Sequence, residues 1–114
     1  MIYEMAEPHE LGYREALAVD AVEGLGHARF VDVREPHEFT GELGHLEGSE
    51  LVPLATVEAA SASWDKDAEL VLVCRSGARS GRIAAVLVSK GFTKVINLKG
   101  GMLAVHAAKL PFVR

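Results

Sequence analysis

The stretch ELVLVC, from Glu69 to Cys74, constrains the fold more than any other part of this chain. Its residues from Leu70 to Cys74 are apolar without interruption, so they lack the alternation of a half-exposed strand and the spacing of an amphipathic helix. A short continuous apolar run of this kind is typical of a strand that is covered on both faces. The stretch therefore predicts a central strand of a sheet that lies between two layers.

Other segments predict further short strands. They are Ala28 to Val33 (ARFVDV), Glu50 to Leu54 (ELVPL) and Lys94 to Leu98 (KVINL). Pro53 has no backbone N–H to donate, which ends its strand or places it near an edge of the sheet. A fifth strand is expected within the first 20 residues, where the pattern does not define its position.

Helix-like segments separate these strands. They run from Val19 to Gly26, Glu35 to Glu42, Leu54 to Ser63, Ala78 to Phe92 and Gly100 to Lys109. Pro36 suits a first helical turn and Gly91 suits a C-cap. Strands that alternate with helices predict an α/β fold, with a central, mostly parallel sheet of about five strands and helices on both faces. The length of 114 residues fits one domain, residues 1–114.

Charge and cysteine content exclude several classes of function. A net charge of −4 argues against non-specific binding to nucleic acid or to an anionic membrane surface. No apolar run approaches the roughly 18 residues of a membrane span, and the first residues lack the basic and apolar regions of a signal peptide. One cysteine cannot form an internal disulfide. We therefore expect a cytoplasmic protein.

The only cysteine, Cys74, ends the predicted central strand. Ligands of α/β sheets bind outside the carboxyl ends of the strands. The loop from Arg75 to Ser80 leads into the longest predicted helix, so backbone N–H groups and the helix N-terminus converge near the sulfur. Gly77 permits a tight turn, and Arg75 and Arg79 add positive charge. Such a setting lowers the pKa of a cysteine and yields the thiolate, which is the reactive form.

Each of these residues also has a simpler structural explanation. A lone cysteine is often a small buried apolar side chain. Arg75 and Arg79 are compatible with ordinary surface charge. Ser80 suits the N-cap of the helix at least as well as a contact with sulfur. The combination of a glycine, two arginines and a strand end in one loop favours the reactive cysteine.

Three segments, taken together, resemble a known family. They are VDVREPHEFTGELGHLEGS (Val31 to Ser49), which contains Asp32, Arg34, Glu35, Glu38 and the Gly44–His45 pair, CRSGARS (Cys74 to Ser80), and INLKGGM (Ile96 to Met102). In this order they resemble the first signature, the active-site loop and the closing signature of the single-domain rhodaneses, or thiosulfate sulfurtransferases. The resemblance extends from about Ala28 to Pro111 and agrees with the α/β fold predicted above.

The resemblance implies a mechanism centred on Cys74. The cysteine attacks the outer sulfur of thiosulfate or a similar anionic donor and becomes a persulfide. Cyanide, a small thiol or a cysteine of a partner protein then accepts the sulfur, and neither a metal nor an organic cofactor is expected. The substrate-binding residues are expected in the loop, at Arg75, Ser76, Gly77, Ala78, Arg79 and Ser80.

Other residues of the signatures are expected to be structural and close to the site. They are Asp32, Arg34, His45, Gly100 and Gly101. The glycine pair allows the backbone to pass close to the loop. His45 has no partners at metal-binding spacing, so no metal site is expected there. Many family members have a Trp shortly after the glycine pair, where this chain has Val105, and this difference leaves the pocket shape and the acceptor open.

Two other functions compete with sulfur transfer. Phosphatases and arsenate reductases related to this fold have an Arg six positions after the cysteine, where this chain has Ser80, and Arg79 comes one position early. The shorter loop suits one sulfur atom better than a tetrahedral phosphate. The second alternative is a sulfur-carrier or sensing module that docks on a partner, for which Cys74 is equally required.

Overall fold

The computed structural model describes residues 1–114, and one sheet of six strands forms its centre. The strands are β1 (Glu7–Pro8), β2 (Arg14–Ala16), β3 (Arg29–Asp32), β4 (Glu50–Leu51), β5 (Glu69–Val73) and β6 (Lys94–Leu98). Their order in the sheet is β1-β2-β6-β5-β3-β4, and only β1 and β2 pair antiparallel. The predicted α/β fold with a mostly parallel sheet is confirmed. The strand expected in the first 20 residues is β2, and β1 is an edge strand that the sequence did not reveal.

Six helices flank the sheet. They are α1 (Ile2–Met5), α2 (Ala18–Val22), α3 (Pro36–Phe39), α4 (Val57–Ser61), α5 (Ala78–Ser89) and α6 (Gly101–Ala107), and a 3-10 turn at Leu54–Thr56 precedes α4. The N-cap of α5 is Gly77, so the alternative that Ser80 caps this helix is wrong. Ser80 lies in the first turn of α5 and its side chain is free to point at the site. No helix in the structure combines the length and the apolar character that crossing a membrane requires.

The central strand β5 is covered on both faces, as its continuous apolar pattern predicts. Leu70, Leu72 and Cys74 belong to a buried cluster with side chains of α4 and α5. Val71 and Val73 belong to a second cluster with side chains of α1, α2 and α6. All five are at most 1% exposed. This double burial holds the end of β5 rigidly, and the end of β5 determines the position of the cysteine.

The parallel arrangement brings three strand ends to one edge of the sheet. Asp32 at the end of β3 pairs with Val73 of β5, and Leu72 of β5 pairs with Asn97 of β6. The chain leaves this edge through three short connections, which lead into α3, α5 and α6. The connections therefore meet above the carboxyl ends of the strands, where ligands bind in α/β sheets.

Candidate active site

The sulfur of Cys74 lies in a ring of hydrogen-bond donors. Cys74 directly follows β5 and is completely buried. The backbone N–H of Gly77 donates to Sγ at 3.0 Å, and the backbone N–H of Ser80 donates at 3.5 Å. The hydroxyl of Ser80 also lies within hydrogen-bonding distance, 3.2 Å from Sγ. Such convergence of donors is the arrangement that stabilises a thiolate.

Two opposing effects set the pKa of the Cys74 thiol. Burial is the largest of them and raises this pKa, because it disfavours the charged form. The Ser80 hydroxyl and the backbone N–H groups of Ser80, Gly77 and Ser76 act in the other direction, because they donate to the thiolate. The hydrogen bonds together outweigh burial, and the pKa of Cys74 is lowered from its ordinary value. A lowered pKa is the direction expected for a cysteine whose thiolate is stabilised by its surroundings.

Gly77 allows the loop to close around the sulfur. Its φ of +97° lies in the left-handed region that side chains disfavour. A Cβ at this position would also lie 3.2 Å from the backbone nitrogen of Gly100 and 3.4 Å from the carbonyl oxygen of Leu98. Both the conformation and the space therefore favour glycine at this place. Ser76 and Ala78, the neighbours of Gly77, are exposed.

The two arginines of the loop have different surroundings. Arg79 forms a bidentate ion pair with Glu38 of α3, with both N–O distances at 2.8 Å. The hydrogen bonds from Arg79 lower the pKa of Glu38 to about 2. Arg75 is exposed and lines a cavity of about 250 Å³ together with residues that include Arg34, His37 and Glu38. Arg75 therefore exposes its charge to solvent at the start of the loop, whereas Glu38 neutralises the charge of Arg79.

Asp32 and Arg34 form a buried ion pair below the site. Their side chains are at most 1% exposed, and Arg34 donates to both carboxylate oxygens of Asp32, at 2.9 and 2.7 Å. The same guanidinium donates to the carbonyl oxygens of Gly44 at 2.6 Å and Glu38 at 3.3 Å. Arg34 thus joins the end of β3 to α3 and to the turn that follows it.

The glycine pair packs against the loop of the cysteine. The backbone N–H groups of Met102 and Leu103 donate to the carbonyl oxygens of Cys74 and Arg75, at 2.9 and 3.0 Å. A Cβ on Gly101 would lie 2.4 Å from the carbonyl oxygen of Cys74. The close approach expected for Gly100 and Gly101 is therefore present, and these contacts tie the start of α6 to the base of the loop.

His45 and Val105 both lie in packed surroundings. His45 contacts the carbonyl oxygen of Phe39 through Nδ1 at 2.7 Å and stacks on the Phe39 ring. Val105 is fully buried in the cluster beneath α6. Trp64, the only tryptophan, packs edge-on against Phe92. No cluster of three or more His, Cys, Asp or Glu side chains with the geometry of a metal site is present.

One residue of the site was missed from the sequence, namely Asn97 of β6. Its side chain is 1% exposed and accepts a hydrogen bond from the Ser80 hydroxyl at 2.6 Å. Its amide nitrogen donates to Glu15 of β2 and to the carbonyl oxygen of Gly77. The signal that could have revealed Asn97 is a single uncharged polar residue in the apolar strand pattern KVINL.

Fold and site together define a small α/β protein with a cysteine loop at the carboxyl edge of its sheet. The model of the rhodanese-like domain matches residues 17–108. The chain belongs to the rhodanese-like domain family.

Individual relatives agree with this assignment. Over 74 residues the chain is 39% identical to thiosulfate sulfurtransferase GlpE of Pseudomonas aeruginosa, a match that covers 65% of this chain and 66% of GlpE. Over 78 residues it is 40% identical to the uncharacterized protein YqhL of Bacillus subtilis, covering 68% of this chain and 60% of YqhL. The chain thus spans about three-fifths of that relative. A rhodanese-related protein of Thermoplasma volcanium has the same fold, with a TM-score of 0.78 and 24% identity over 87% of this chain and 96% of that one.

Proposed function

We propose that this protein is a sulfurtransferase in which Cys74 carries a sulfane sulfur from an anionic donor, such as thiosulfate, to a thiophilic acceptor. The observation that carries the proposal is the convergence of the Gly77 and Ser80 donors on Sγ of Cys74. Membership of the rhodanese-like family and the similarity to named sulfurtransferases support sulfur transfer in general.

The first half of the reaction is a displacement at sulfur. The Cys74 thiolate attacks the outer sulfur of thiosulfate, a new S–S bond forms, and the bond to the sulfonate sulfur breaks with its electron pair on the departing sulfite. Sulfite needs no proton to leave, so this step requires no general acid. The persulfide anion then extends one atom beyond Sγ, and the loop donors are suited to hold it.

In the second half an acceptor attacks the outer sulfur of the persulfide. Cyanide, a small thiol or a protein cysteine forms the new bond, and Cys74 leaves as the thiolate that began the cycle. Because the chain has one cysteine, the acceptor comes from outside the chain. The two half-reactions predict ping-pong kinetics.

Arg75 and Arg79 have different roles in this proposal. Arg75, which is exposed at the start of the loop, attracts the donor anion. Arg79 anchors the loop to α3 through Glu38, and its charge is largely cancelled there. This assignment differs from the expectation that Arg75 and Arg79 both bind the donor.

The same ion pair weighs against phosphate chemistry. A phosphate-binding loop needs an arginine fork that is free to bind two phosphate oxygens. In this chain the fork of Arg79 is occupied by both carboxylate oxygens of Glu38. The position expected for the phosphate-binding arginine holds Ser80, whose hydroxyl lies near Sγ. We therefore expect little hydrolysis of an aryl phosphate.

Intact mass spectrometry after incubation with thiosulfate tests the proposal. We expect a gain of about 32 Da, one sulfur atom, in the wild-type protein and none in Cys74→Ser. Absence of the adduct in the wild type, or its persistence in Cys74→Ser, would overturn the assignment. Turnover with cyanide, compared with transfer to a cysteine-containing protein, then separates a turnover enzyme from a sulfur carrier. Robust aryl phosphate hydrolysis without sulfur transfer would favour the phosphatase instead.

A further inference from the structure

A chain of hydrogen bonds leads from the sulfur of Cys74 through Ser80 and Asn97 to Glu15. Asn97 does not contact the sulfur, yet it is bonded to the hydroxyl that does. We propose that Asn97 is a positioning residue for Cys74, which acts by competing with the sulfur for the single proton of the Ser80 hydroxyl. The wild-type loop would then contain a donor that is shared between two acceptors.

The orientation of the Asn97 amide follows from its neighbours. Glu15 and Asn97 are paired residues of the parallel strands β2 and β6, so their side chains share one face of the sheet. The amide nitrogen donates to Glu15 Oε2 at 3.0 Å and to the carbonyl oxygen of Gly77 at 3.1 Å. Both of these partners are acceptors, so only the NH2 end can face them. The Oδ1 atom must therefore face Ser80.

The Ser80 hydroxyl has one proton and two acceptors within reach. Oδ1 of Asn97 lies 2.6 Å from Oγ, and Sγ of Cys74 lies 3.2 Å from Oγ. Ser80 is fully buried, so water is not at hand to supply a second donor. Whichever acceptor receives the proton deprives the other of it.

The preferred acceptor depends on the state of the sulfur. When Cys74 is a thiol, its S–H can donate to Oγ of Ser80 while the hydroxyl donates to Asn97, and every group is satisfied. When Cys74 is a thiolate, the sulfur needs the hydroxyl proton, and Oδ1 of Asn97 then loses its donor. A buried acceptor without a partner is costly. Asn97 therefore limits the stabilisation that Ser80 gives to the thiolate.

This competition has a consequence for the catalytic cycle, which rests on the proposed function. In a persulfide the negative charge moves one atom away from Sγ, so Sγ no longer needs the Ser80 proton. The hydroxyl can then return to Asn97, and the backbone N–H groups of the loop remain for the outer sulfur. Asn97 thus favours loading of Cys74 relative to the free thiolate.

Other charged or titratable groups surround this chain of hydrogen bonds. Glu15 lies on β2, Tyr13 lies just before β2, and Arg79 lies on α5. Burial is the main cause that raises the pKa of Tyr13, and Glu15 adds to it. The Glu38 ion pair is the main cause that raises the pKa of Arg79, and the charge of Cys74 contributes. None of these residues is substituted in the variants below, although Asn97→Leu removes the amide hydrogen bond that Glu15 accepts.

A double-mutant cycle tests the proposal, with the pKa of Cys74 measured by the ultraviolet absorbance of the thiolate. Asn97→Leu removes the competing acceptor at similar volume, and we expect the thiolate fraction below the pKa to rise roughly three- to tenfold. Ser80→Ala removes the shared donor and is expected to lower that fraction. In the Ser80→Ala background the rise caused by Asn97→Leu should be absent, since the competition passes through the hydroxyl. The amide hydrogen bonds from Asn97 to Glu15 and to the carbonyl of Gly77 are lost in both backgrounds, so the cycle separates their effect from the competition.

Ser61→Ala is the matched control, because Ser61 is buried like Ser80. Its hydroxyl donates to the backbone carbonyl of Glu58 and has no contact with the sulfur among its hydrogen bonds. This variant should leave the thiolate fraction unchanged. An unchanged or lowered fraction in Asn97→Leu, or an equal rise in the Ser80→Ala background, overturns the proposal. The cycle needs no sulfur donor, so its result is independent of whether Cys74 forms a persulfide.

Nuclear magnetic resonance provides a second test if Asn97→Leu does not fold. The side-chain amide signals of Asn97 in the otherwise wild-type protein should move with the titration of Cys74, and this movement should disappear in Ser80→Ala. Amide signals that ignore the Cys74 titration, or that follow it equally in Ser80→Ala, overturn the proposal.

Discussion

Two strand-to-helix connections of this protein, from β3 to α3 and from β5 to α5, begin at the same edge of the sheet. They differ in the groups that surround the acidic side chain at the start of each connection. The connection from β3 to α3 begins at the carboxylate of Asp32, which accepts hydrogen bonds from the backbone and the guanidinium of Arg34. The connection from β5 to α5 directs the N–H groups of Gly77 and Ser80 at Sγ of Cys74. The carboxylate in the first connection is therefore paired with a guanidinium, whereas in the proposed reaction the second connection holds a group that gains and loses charge.

Under the proposed function, this difference shows how one architecture provides both a structural support and a reactive site. A buried ion pair with every hydrogen bond satisfied is inert and holds its surroundings in place. A cysteine among backbone donors keeps its reactivity, since N–H groups stabilise the thiolate without occupying the sulfur covalently. The Glu38–Arg79 ion pair joins the two connections, because Glu38 lies on α3 and Arg79 on α5.

The largest effect is expected from Arg34→Met, which breaks the buried ion pair between Asp32 and Arg34. This variant leaves Asp32 buried without its partner and should lower the free energy of unfolding by about 3–5 kcal/mol, measured by urea denaturation. The double variant Asp32→Leu/Arg34→Met removes both charges and should recover much of the loss. A single variant as stable as the wild type would contradict a supporting role for this ion pair.

A smaller loss of stability is expected when the Glu38–Arg79 ion pair, which joins the two connections, is broken. The folded-state pKa of Glu38 is about 2, below its ordinary value of 4.5, so its ion pair stabilises the fold above about pH 4.5 and loses this contribution as the pH falls towards 2. Because both side chains are partly exposed, we expect Glu38→Gln to destabilise the protein by about 1–2 kcal/mol near neutral pH.

Urea unfolding of the wild type and Glu38→Gln at neutral and at acidic pH checks the sign of this effect. The difference between the two proteins should shrink as the pH falls. Glu58→Gln is the matched control, because the Glu58–Lys90 pair is more exposed and its N–O distance is 3.5 Å. A difference that is independent of pH, or one equally large in Glu58→Gln, would contradict the role of the Glu38 ion pair.

The smallest effect is expected for Arg75, the exposed arginine in the connection from β5 to α5. Arg75→Ala should raise the KM for thiosulfate about two- to fivefold with little change in kcat, since an exposed cation attracts the donor anion without touching the reacting bond. Arg82→Ala removes the same charge from an exposed position of α5 and should leave KM nearly unchanged. Equal effects of both variants, or an Arg75→Ala effect that added salt does not diminish, would contradict the electrostatic attraction of the donor by Arg75.

The parts of the fold that depend on local pattern could be predicted from the sequence. The uninterrupted apolar run after Glu69 predicts β5, and the strand ends at Val73, one residue before the predicted end at Cys74. Strand β1 could not be predicted, because its residues Glu7–Pro8 are exposed and carry no apolar pattern. Helix α5 begins at Ala78 because Gly77 takes the N-cap position, and this arrangement turns Ser80 towards the sulfur.

By itself the sequence determined the α/β alternation, the cysteine at the end of a buried strand and the loop that surrounds it, because these features arise among neighbours in the chain. Only the tertiary structure decided which distant side chains complete the site. Glu38 reaches Arg79 across 41 positions, and Glu15 reaches Asn97 across 82. The register of parallel strands and the packing of helices set these pairs, and neither is contained in a local pattern. The partner of each loop residue, and hence its role around Cys74, therefore follows from the folded sheet.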